Sequence, residues 1–397
     1  MSTNKSKKPE LRFKGFSDDW EQCKLGEIFE EYSEKNHEEL PALTIIQGGG
    51  TILREESNRN MQYERSSLSG YKMVKKDDFI LHLRSFEGGL EKANTNGIIS
   101  PAYHTFHGEN TDSRFYYSFF RSKYFIDVLL KPHVYGIRDG KSIDVEGMKS
   151  ILVPVPTYNE QKYIGDFVER TDNLITLHQR KCENLIIIKK SMLDNLFPKN
   201  GEKVPRWRFK GFNDDWEQRK FGELYKKSSE KNDGSISMDR NITVATMQFK
   251  EDVKVSTEDY LKTYYTFNVG DIAFEGHQSK EYRFGRFVEN DIGNGIISHI
   301  FAVFRPIVDY DLQFWKYAIN NESLMQRVLS RSTKASTMMH DLVTDDFLEQ
   351  KFLVPSVKEQ EQIGMFLSDL DHLITLHQSE VERLKKVKQF FLDKMFI

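Results

Sequence analysis

The sequence predicts an α+β fold built twice: two tandem α/β domains, each followed by a long helix. A 17-residue phrase that begins at Arg12, RFKGFSDDWEQCKLGEI, returns at Arg208 as RFKGFNDDWEQRKFGEL with 13 identical positions. The strings NGIIS and LITLHQ also occur twice, and the distance between copies changes only from 196 to 199 residues along the chain. Because the copies keep their spacing, we expect the two halves to share one fold.

The middle of each half differs from its counterpart. Residues 42–93 and 240–292 have almost nothing visible in common, although the segments on either side of them repeat. A repeat with near-identical ends and unlike middles indicates a fixed structural frame that carries two different working surfaces.

Each half ends in a segment with helical periodicity, residues 156–197 and 355–397. From Asn159 to Phe197 the chain has no Pro and one Gly, and apolar residues recur at spacings of three and four. One such helix cannot bury its apolar stripe alone, whereas two copies can pack against each other as a coiled coil. The predicted seam and subunit interface contains Ile164, Phe167, Leu174, Leu177, Leu185, Ile188, Ile363, Phe366, Leu370, Leu373, Leu384 and Phe391.

The preceding parts, residues 1–155 and 206–354, are predicted to be mixed domains with a small, twisted sheet. Stretches such as GYKMVKKDDFIL and TFNVGDIAFE indicate pairs of strands, and both copies of NGIIS open a core strand. DSRFYYSFF and YDLQFWKYAI have helical periodicity. Residues 198–205, PKNGEKVP, contain two Pro and a Gly and are predicted to be a linker.

Composition favours a folded protein of the cytoplasm. The 397 residues include 29 Phe and 17 Tyr but only two Cys, at non-equivalent places in the two halves. Two unpaired positions of this kind do not support a disulfide framework or a metal site. The sequence contains no apolar run of bilayer-spanning length, and its basic N-terminus is not followed by the apolar stretch of a secretory signal.

Catalytic signatures are missing from the sequence. It contains no phosphate-binding P-loop, no GxGxxG, no CxxC and no HExxH, so we predict no catalytic residue and no metal site. The triplet in QGGGT (47–51) is expected to be a tight turn rather than an anion cradle. The equivalent residues His178 and His377 are expected to pack or set register in the seam, and the Asp pairs of the opening phrase to form turns or caps.

Polar loops between the predicted strands are the candidates for DNA contact. They are HLRSFEGG (82–89) and KPHVYGIRDGKSI (131–143) in the first half, with EGHQSKEYRFGR (275–286) and SRSTKASTMMH (330–340) at corresponding places in the second. Their Arg, Lys, Gln, Ser and Tyr side chains suit phosphates and base edges, although any one of them could equally be a solvated loop residue. The candidates are Arg84, Ser85, Tyr135, Arg138, Lys141, Ser142, Gln278, Lys280, Tyr282, Arg283, Arg331, Lys334 and Ser336.

Net charge bears on this interpretation. The chain carries −3 overall, whereas a free-standing DNA-binding protein is usually basic. Either nucleic acid is not the ligand, or basic residues are confined to the loops and a partner supplies much of the phosphate contact.

The order of these elements resembles the specificity subunit of type I restriction-modification systems over essentially the whole chain. The features that carry the resemblance are the opening phrase RFKGF..DWEQ.KLGEI, the helix entries VPTYNEQKYIG (155–165) and VPSVKEQEQIG (354–364), and their tandem repetition. The resemblance implies two target recognition domains, 1–155 and 206–354. It also implies two spacer helices, 156–197 and 355–397, that pack as an antiparallel coiled coil with pseudo-twofold symmetry.

The family resemblance also implies a function. Each recognition domain is expected to read one half of an asymmetric, bipartite, gapped site on double-stranded DNA, with half-sites centred about 34 Å apart. Two methyltransferase subunits and two motor-nuclease subunits are the expected partners, and S-adenosylmethionine, ATP and Mg²⁺ are expected in those subunits, with no cofactor bound by this chain. The alternative is a non-catalytic coiled-coil scaffold that does not read DNA, which overall acidity mildly favours.

Overall fold

The computed structural model of this chain describes residues 8–57, 65–82, 89–135, 142–199, 201–251, 257–336 and 339–396. The chain divides into two compact units. Unit 1 comprises Met1–Gln179 together with Ser379–Ile397, and unit 2 comprises Arg180–Gln378.

Unit 1 alternates short strands with short helices before its long helix. Its strands are β1 (Glu21–Lys24), β2 (Phe29–Tyr32), β3 (Leu43–Ile46), β4 (Gly50–Leu53), β5 (Lys72–Val74), β6 (Phe79–Leu81), β7 (Glu91–Lys92), β8 (Gly97–Ile99), β9 (His104–Gly108), β10 (Val134–Tyr135), β11 (Ser142–Ile143) and β12 (Leu152–Val155). Its helices are α1 (Leu25–Ile28), α2 (Ser113–Phe120), a π-helix (Tyr124–Leu130), α3 (Val145–Lys149) and the start of α4 (Tyr158–Asn195), with 3₁₀ turns at Arg54–Glu56, Arg65–Gly70 and Lys131–His133.

Unit 2 repeats this order. Its strands are β13 (Glu217–Lys220), β14 (Tyr225–Ser228), β15 (Ile242–Thr243), β16 (Gln248–Phe249), β17 (Tyr265–Phe267), β18 (Ile272–Glu275), β19 (Arg286–Glu289), β20 (Gly295–Ile297), β21 (Ala302–Pro306), β22 (Thr333–Ala335), β23 (His340–Leu342) and β24 (Lys351–Val354). Its helices are α5 (Phe221–Leu224), α6 (Glu258–Leu261), α7 (Leu312–Ile319), α8 (Glu322–Ser332), α9 (Thr344–Glu349) and the start of α10 (Val357–Met395), with a 3₁₀ turn at Met238–Arg240.

The two units pair their strands in the same way. Each has a four-stranded antiparallel sheet, in the order β2-β9-β6-β7 in unit 1 and β14-β21-β18-β19 in unit 2. The smaller ladders also correspond: β1-β12 with β13-β24, β3-β4 with β15-β16, β5-β8 with β17-β20, and β10-β11 with β22-β23. Unlike middles therefore adopt one topology, which confirms the predicted α+β fold of two tandem domains with long helices.

Aromatic residues fill the core of each unit, where α2 in unit 1 and α7 in unit 2 pack on the sheet. In unit 1, Phe29, Phe79 and Phe120 have ring centroids 4.9–5.5 Å apart and are fully buried. In unit 2, Trp315 of α7 packs edge-on against Tyr225 of β14 at 5.6 Å. Burying such large side chains accounts for the high Phe and Tyr content of the sequence.

Each long helix carries a set of buried or half-buried positions, the seam, that follows a heptad repeat. On the first helix these positions alternate in steps of four and three, and each has a counterpart on α10 that lies 199 residues further on. They are Ile164, Val168, Thr171, Ile175, His178, Cys182, Leu185, Lys189, Met192 and Leu196 on the first segment, and Ile363, Leu367, Leu370, Ile374, His377, Val381, Leu384, Lys388, Phe391 and Met395 on the second.

Contacts inside each unit show that the helices run antiparallel. In unit 1, Phe167 packs on Phe391 at 4.8 Å, and Asp172 accepts hydrogen bonds from Lys388 at 2.6 and 2.8 Å. Asp172 lies after Phe167 on α4, whereas Lys388 lies before Phe391 on α10, so the two segments run in opposite directions. In unit 2, Lys189 donates to Asp371 at 2.6 Å. The pairs Asp172–Lys388 and Asp371–Lys189 occupy equivalent positions of the repeat, since the two Asp residues, and likewise the two Lys residues, are 199 residues apart in sequence.

Six of the twelve residues predicted for the seam or the subunit interface lie outside this heptad: Phe167 and Phe366 are half-buried, and the other four are exposed. Leu174, Leu177, Ile188 and Leu373 are 40–46% exposed and lie outside the buried heptad. Each of the four directly precedes a seam residue. The apolar residues of the seam and those of the exposed stripe both recur every three or four residues, so spacing alone does not distinguish the two stripes. No helix of the described residues has the uninterrupted apolar length needed to cross a bilayer.

Candidate nucleic-acid interface

A bidentate ion pair fixes the opening phrase of each unit to its long helix. Arg12 donates to both oxygens of Glu160 at 2.6 and 2.7 Å, and Arg208 donates to both oxygens of Glu359 at 2.7 and 2.8 Å. The hydrogen bond to the carboxylate raises the pKa of each guanidinium above its ordinary value. In unit 1 the Trp20 indole also donates to Glu160, at 3.1 Å.

The Gln that follows this Glu fixes the start of α2 in unit 1 and of α7 in unit 2. Gln161 accepts from the backbone N–H of Asp112 at 2.9 Å and donates to the Pro156 carbonyl. Gln360 does the same with Asp311 and Pro355, at 3.0 and 3.1 Å. Asp112 and Asp311 are the N-caps of α2 and α7, so the EQ dipeptide connects three segments in each unit.

These contacts explain why the phrase and the helix entry are repeated together. We call Arg12, Glu160, Gln161 and Asp112, with their counterparts Arg208, Glu359, Gln360 and Asp311, the frame. The frame positions the sheet and its connecting loops relative to the long helix in each unit.

In unit 2 the structure brings the two predicted loops together. The His340 backbone N–H donates to the Gly276 carbonyl at 2.8 Å, and His277 and Met339 form a β-bridge. A side chain at position 276 would place its Cβ 2.2 Å from the His340 oxygen, so this close approach requires glycine. The loop 276–285 and the β22–β23 hairpin (333–342) thus form one surface, which we call the unit 2 loop surface.

Most of the predicted DNA-binding side chains of unit 2 are exposed on this surface. Gln278, Lys280 and Arg283 are exposed on the loop, and Lys334 and Ser336 are exposed on the hairpin. Tyr282 is half-buried because the Arg286 guanidinium lies 5.1 Å from its ring centroid. Within the described residues, Lys280 and Lys334 form no ion pair, so both charges are available to an anionic ligand.

Arg331 is placed elsewhere. It is exposed near the end of α8 and lines a groove of about 1150 Å³ whose walls include Phe197, Lys199, Trp216 and Arg327. The structure therefore does not bring Arg331 into the unit 2 loop surface.

In unit 1 the corresponding loops are only partly described. Arg84, Ser85, Arg138 and Lys141 lie outside the described residues. Tyr135 is 55% exposed and pairs with Ser142 in the β10–β11 hairpin, the counterpart of β22–β23. Both side chains therefore lie at the base of the predicted loop.

The glycine triplet forms the turn between β3 and β4, as the sequence predicted, but its backbone also binds an anionic group. Gly48 and Gly50 donate their N–H groups to the carboxylate of Glu91 at 2.8 and 3.2 Å. Glu91 also accepts from Tyr117 and Arg121, at 2.8 and 2.7 Å. Sequence reasoning missed this contact because Glu91 is 41 residues away and nothing local pairs it with the triplet.

Unit 2 contains a buried carboxyl group of another kind. Glu289 is 3% exposed and neither of its oxygens has a hydrogen-bond partner among the described residues. Burial raises its pKa well above the ordinary value, and Asp291 and Asp311 add to the rise while Lys316 opposes it. The group therefore favours its neutral form.

The described residues contain no group of three or more His, Cys, Asp and Glu side chains that could hold a metal ion. His178 and His377 are half-buried seam positions. Asp19 and Asp215 form exposed ion pairs with Lys8 and Lys203, both at 3.1 Å.

Comparison with known proteins agrees with this geometry. The family model for the type I restriction modification DNA specificity domain matches residues 17–186 and again 213–386. The chain is 24% identical over 267 residues to the type I restriction enzyme MjaVIII specificity subunit of Methanocaldococcus jannaschii. That match covers 63% of this chain and spans 62% of the length of the relative.

Solved structures share the fold. The S subunit of a type I restriction-modification system from M. genitalium superposes with a TM-score of 0.58 at 15% identity, covering 98% of this chain and 99% of the other. The HsdS subunit of Thermoanaerobacter tengcongensis gives a TM-score of 0.49 at 16% identity, covering 95% and 96% of the two chains. The first of these likenesses supports the fold of the whole chain.

Proposed function

This chain belongs to the type I restriction modification DNA specificity family, and we propose that it is the subunit that reads the DNA target of such a system. The observation that carries the proposal is the pairing of two equal frames with unlike loops. Two domains fixed in the same way, each with its own loop chemistry, suit an asymmetric site in two halves. The chain itself is proposed to be non-catalytic.

In unit 2 the proposed reading surface is the unit 2 loop surface. Gln278 suits an adenine edge, and the exposed Lys280 and Lys334 suit phosphate oxygens. Arg283 and Ser336 complete the proposed set, with Tyr282 held by Arg286. In unit 1 we propose that the corresponding loops, with Arg84, Ser85, Arg138 and Lys141, act with Tyr135 and Ser142.

Methyltransferase and motor-nuclease subunits are the proposed partners. The repeated string LITLHQ leaves a second apolar stripe exposed outside the seam: Leu174 and Leu177 are 46% exposed, and Leu373 and Leu376 are 40% and 52% exposed. Apolar patches that occur twice in equivalent positions suit two copies of the same partner. S-adenosylmethionine, ATP and Mg²⁺ are proposed to be bound by the partners.

The first test is methylome sequencing. This chain is expressed with a cognate methyltransferase subunit in a host without other adenine methylation, and N6-methyladenine is mapped. We expect one gapped, asymmetric motif, methylated on both strands and absent when this chain is omitted. A complex that co-purifies but methylates no motif would contradict DNA reading.

A domain exchange tests whether the two halves read independently. Residues 206–354 are replaced with the corresponding domain of another family member, and the motif is mapped again. We expect only one half-site to change, since each unit has its own frame. A change in both half-sites, or in neither, would contradict the modular proposal.

A further inference from the structure

The turn between β3 and β4, residues 46–50, carries a side chain that the proposed reading loops do not include. We propose that this glycine turn is a further DNA-reading element of unit 1 and that Gln47 is its base-reading residue. The inference rests on the proposed function and adds to it a residue that determines specificity. Gln47 is exposed at the tip of the turn and makes no hydrogen bond to any described residue.

Five hydrogen bonds connect the turn and the adjoining Thr51 to β7 or the residues after it, and a sixth lies within the turn itself. Two run from Gly48 and Gly50 to the Glu91 carboxylate. Asn94 donates its side-chain amide to the Gly49 carbonyl at 2.8 Å and to the Thr51 carbonyl at 3.0 Å, and its backbone N–H donates to the Thr51 hydroxyl at 2.9 Å. Within the turn, the Gly49 backbone N–H donates to the Ile46 carbonyl at 3.0 Å.

Glycine is required for this conformation. Gly48 and Gly50 have φ values of +74° and +72°, which other residues rarely adopt. A Cβ at Gly50 would lie 2.5 Å from the Lys92 carbonyl oxygen. The tip therefore combines a fixed backbone with little side-chain bulk, so a flat surface such as a base edge can approach it closely.

The fold itself does not need this arrangement. Glu91 pairs with Ile80 across the sheet, and the residue in the same register of unit 2 is Val288, opposite Ala273. Unit 2 forms the same sheet without a carboxylate there. A buried charge is costly unless fully hydrogen-bonded, and unit 2 has an apolar residue at this register, so the Glu91 carboxylate indicates a role beyond folding.

The turn lies beside β7, the strand that follows the first proposed reading loop in the sequence. Glu91 follows the loop 82–89 directly, and the side chain that also binds it, Arg121, lies 3.1 Å from where a Gly48 Cβ would be. In unit 2 the equivalent turn is also tied to the reading loop, because Arg286 donates to the Ala245 carbonyl at 2.8 Å while packing on Tyr282. In each unit the turn therefore contacts the strand that borders a proposed reading loop, β7 or β19, but through different residues, as two domains with different targets require.

The chemistry of the tip suits direct readout. A Gln amide pairs with the N6 and N7 groups of adenine in the major groove, and the neighbouring Ile46, 40% exposed, can contact a thymine methyl group. Because the turn is already ordered, binding loses little conformational entropy. The tip contributes no charge of its own, so it is suited to selecting a base rather than to adding general affinity.

The test uses Gln47→Ala and Gln47→Glu in the full chain, assembled with its methyltransferase subunits. Gln22→Ala is the matched control, since Gln22 is an exposed Gln of the same unit on β1. Methylome sequencing and DNA binding at one salt concentration are measured for all variants. For Gln47→Ala we expect a loss of preference at one base pair of one half-site, roughly 5- to 150-fold, with the other half-site and the gap unchanged.

Gln47→Glu should move the preference at that position from adenine toward cytosine, because a carboxylate accepts a hydrogen bond from the cytosine amino group. An unchanged motif in both Gln47 variants, alongside a normal bipartite motif for the unaltered chain, would overturn this inference and leave the proposed function intact. An unaltered chain that directs no motif would overturn both. Loss of complex assembly in Gln47→Ala but not in Gln22→Ala would also overturn it, since Gln47 would then contact a protein.

Discussion

In unit 1 Arg12 pairs with Glu160, and in unit 2 Arg208 pairs with Glu359 in the same bidentate geometry. The units differ at the edge strand of the four-stranded sheet, which is β7 in unit 1 and β19 in unit 2. Lys92 of β7 donates to Asp77 at 3.0 Å, whereas Glu289, the residue in the same register of β19, is buried and has no hydrogen-bond partner in the described part of the chain. The frame is equal in both units, and the edge strand of the sheet is not.

This difference shows which contacts the fold depends on. Both units reach the same strand order with a buried carboxylate at position 91 in one case and Val288 in the other. The frame contacts and the aromatic core are therefore sufficient for the topology, and the edge of the sheet is free to differ. A protein whose two domains read different sequences needs this separation between what is fixed and what varies.

The largest expected effect comes from breaking the frame. Glu160→Ala and Glu359→Ala each leave a largely buried Arg without its partner, and we expect a loss of about 3–5 kcal/mol in the free energy of unfolding of the unit concerned. Glu160 accepts one hydrogen bond more, from Trp20, so Glu160→Ala should cost about 0.5–1.5 kcal/mol more than Glu359→Ala. Urea unfolding measures both.

Glu361→Ala is the matched control, because Glu361 is exposed and lies on the same helix two residues after Glu359. It should change the free energy of unfolding by less than about 0.5 kcal/mol. If Glu359→Ala lowered the free energy of unfolding as little as this control, the frame contacts would not be what stabilises the unit.

Breaking either long helix should have nearly as large an effect, and the same effect in both halves. Leu185→Pro and Leu384→Pro occupy equivalent seam positions, and each removes a backbone hydrogen bond inside a helix at a cost of about 3 kcal/mol or more. We expect both variants to lose assembly with the methyltransferase subunits in co-purification. Leu185→Ala and Leu384→Ala keep the helix and serve as controls, and intact assembly of the Pro variants would refute the coiled-coil spacer.

Glu289 offers a test of the difference between the units through pH. Because burial raises its pKa in the folded state, the folded chain keeps a proton that the unfolded chain releases above pH of about 4.3. The free energy of unfolding of unit 2 should therefore fall as pH rises from about 4.3 toward the raised pKa of Glu289, by up to about 1.4 kcal/mol per pH unit. Glu289→Gln removes the titrating group and should remove this part of the pH dependence.

Tryptophan fluorescence during urea unfolding at several pH values measures this effect. Three of the four Trp residues, Trp207, Trp216 and Trp315, belong to unit 2, so the signal reports mainly on that unit. Equal pH dependence in the unaltered chain and in Glu289→Gln would contradict a raised pKa at this site.

The same comparison explains what the sequence could and could not predict. The frame and the helix periodicity repeat, so the tandem fold and the antiparallel pairing followed from comparing the halves and from the family resemblance. The register of the seam did not follow from the sequence. In NLITLHQ the exposed pair Leu174 and Leu177 is more apolar than the seam pair Ile175 and His178, so apolar character favours the wrong pair. The Glu91 contact depends on a long-range strand pairing that occurs once, so no repeat revealed it.

The smallest expected effect concerns the ion pairs between the long helices. Among the described residues Lys388 donates to Asp172 alone. Asp371, the partner of Lys189, also accepts from the Tyr317 hydroxyl at 2.7 Å, and Lys189 lies 5.2 Å from the Tyr317 ring centroid. Partly exposed pairs of this kind contribute about 0.2–1 kcal/mol and weaken with salt. We expect Lys388→Ala to fall in this range and to lose most of its effect in 1 M salt, while Lys189→Ala keeps part of its effect because a ring contact is lost as well. A double-mutant cycle of each Lys with its Asp, measured at low and high salt, separates the ion-pair contribution from the ring contribution. Equal coupling energies with equal salt dependence in the two cycles would show that Tyr317 makes no difference. The two ion pairs would then be as equivalent in energy as they are in sequence.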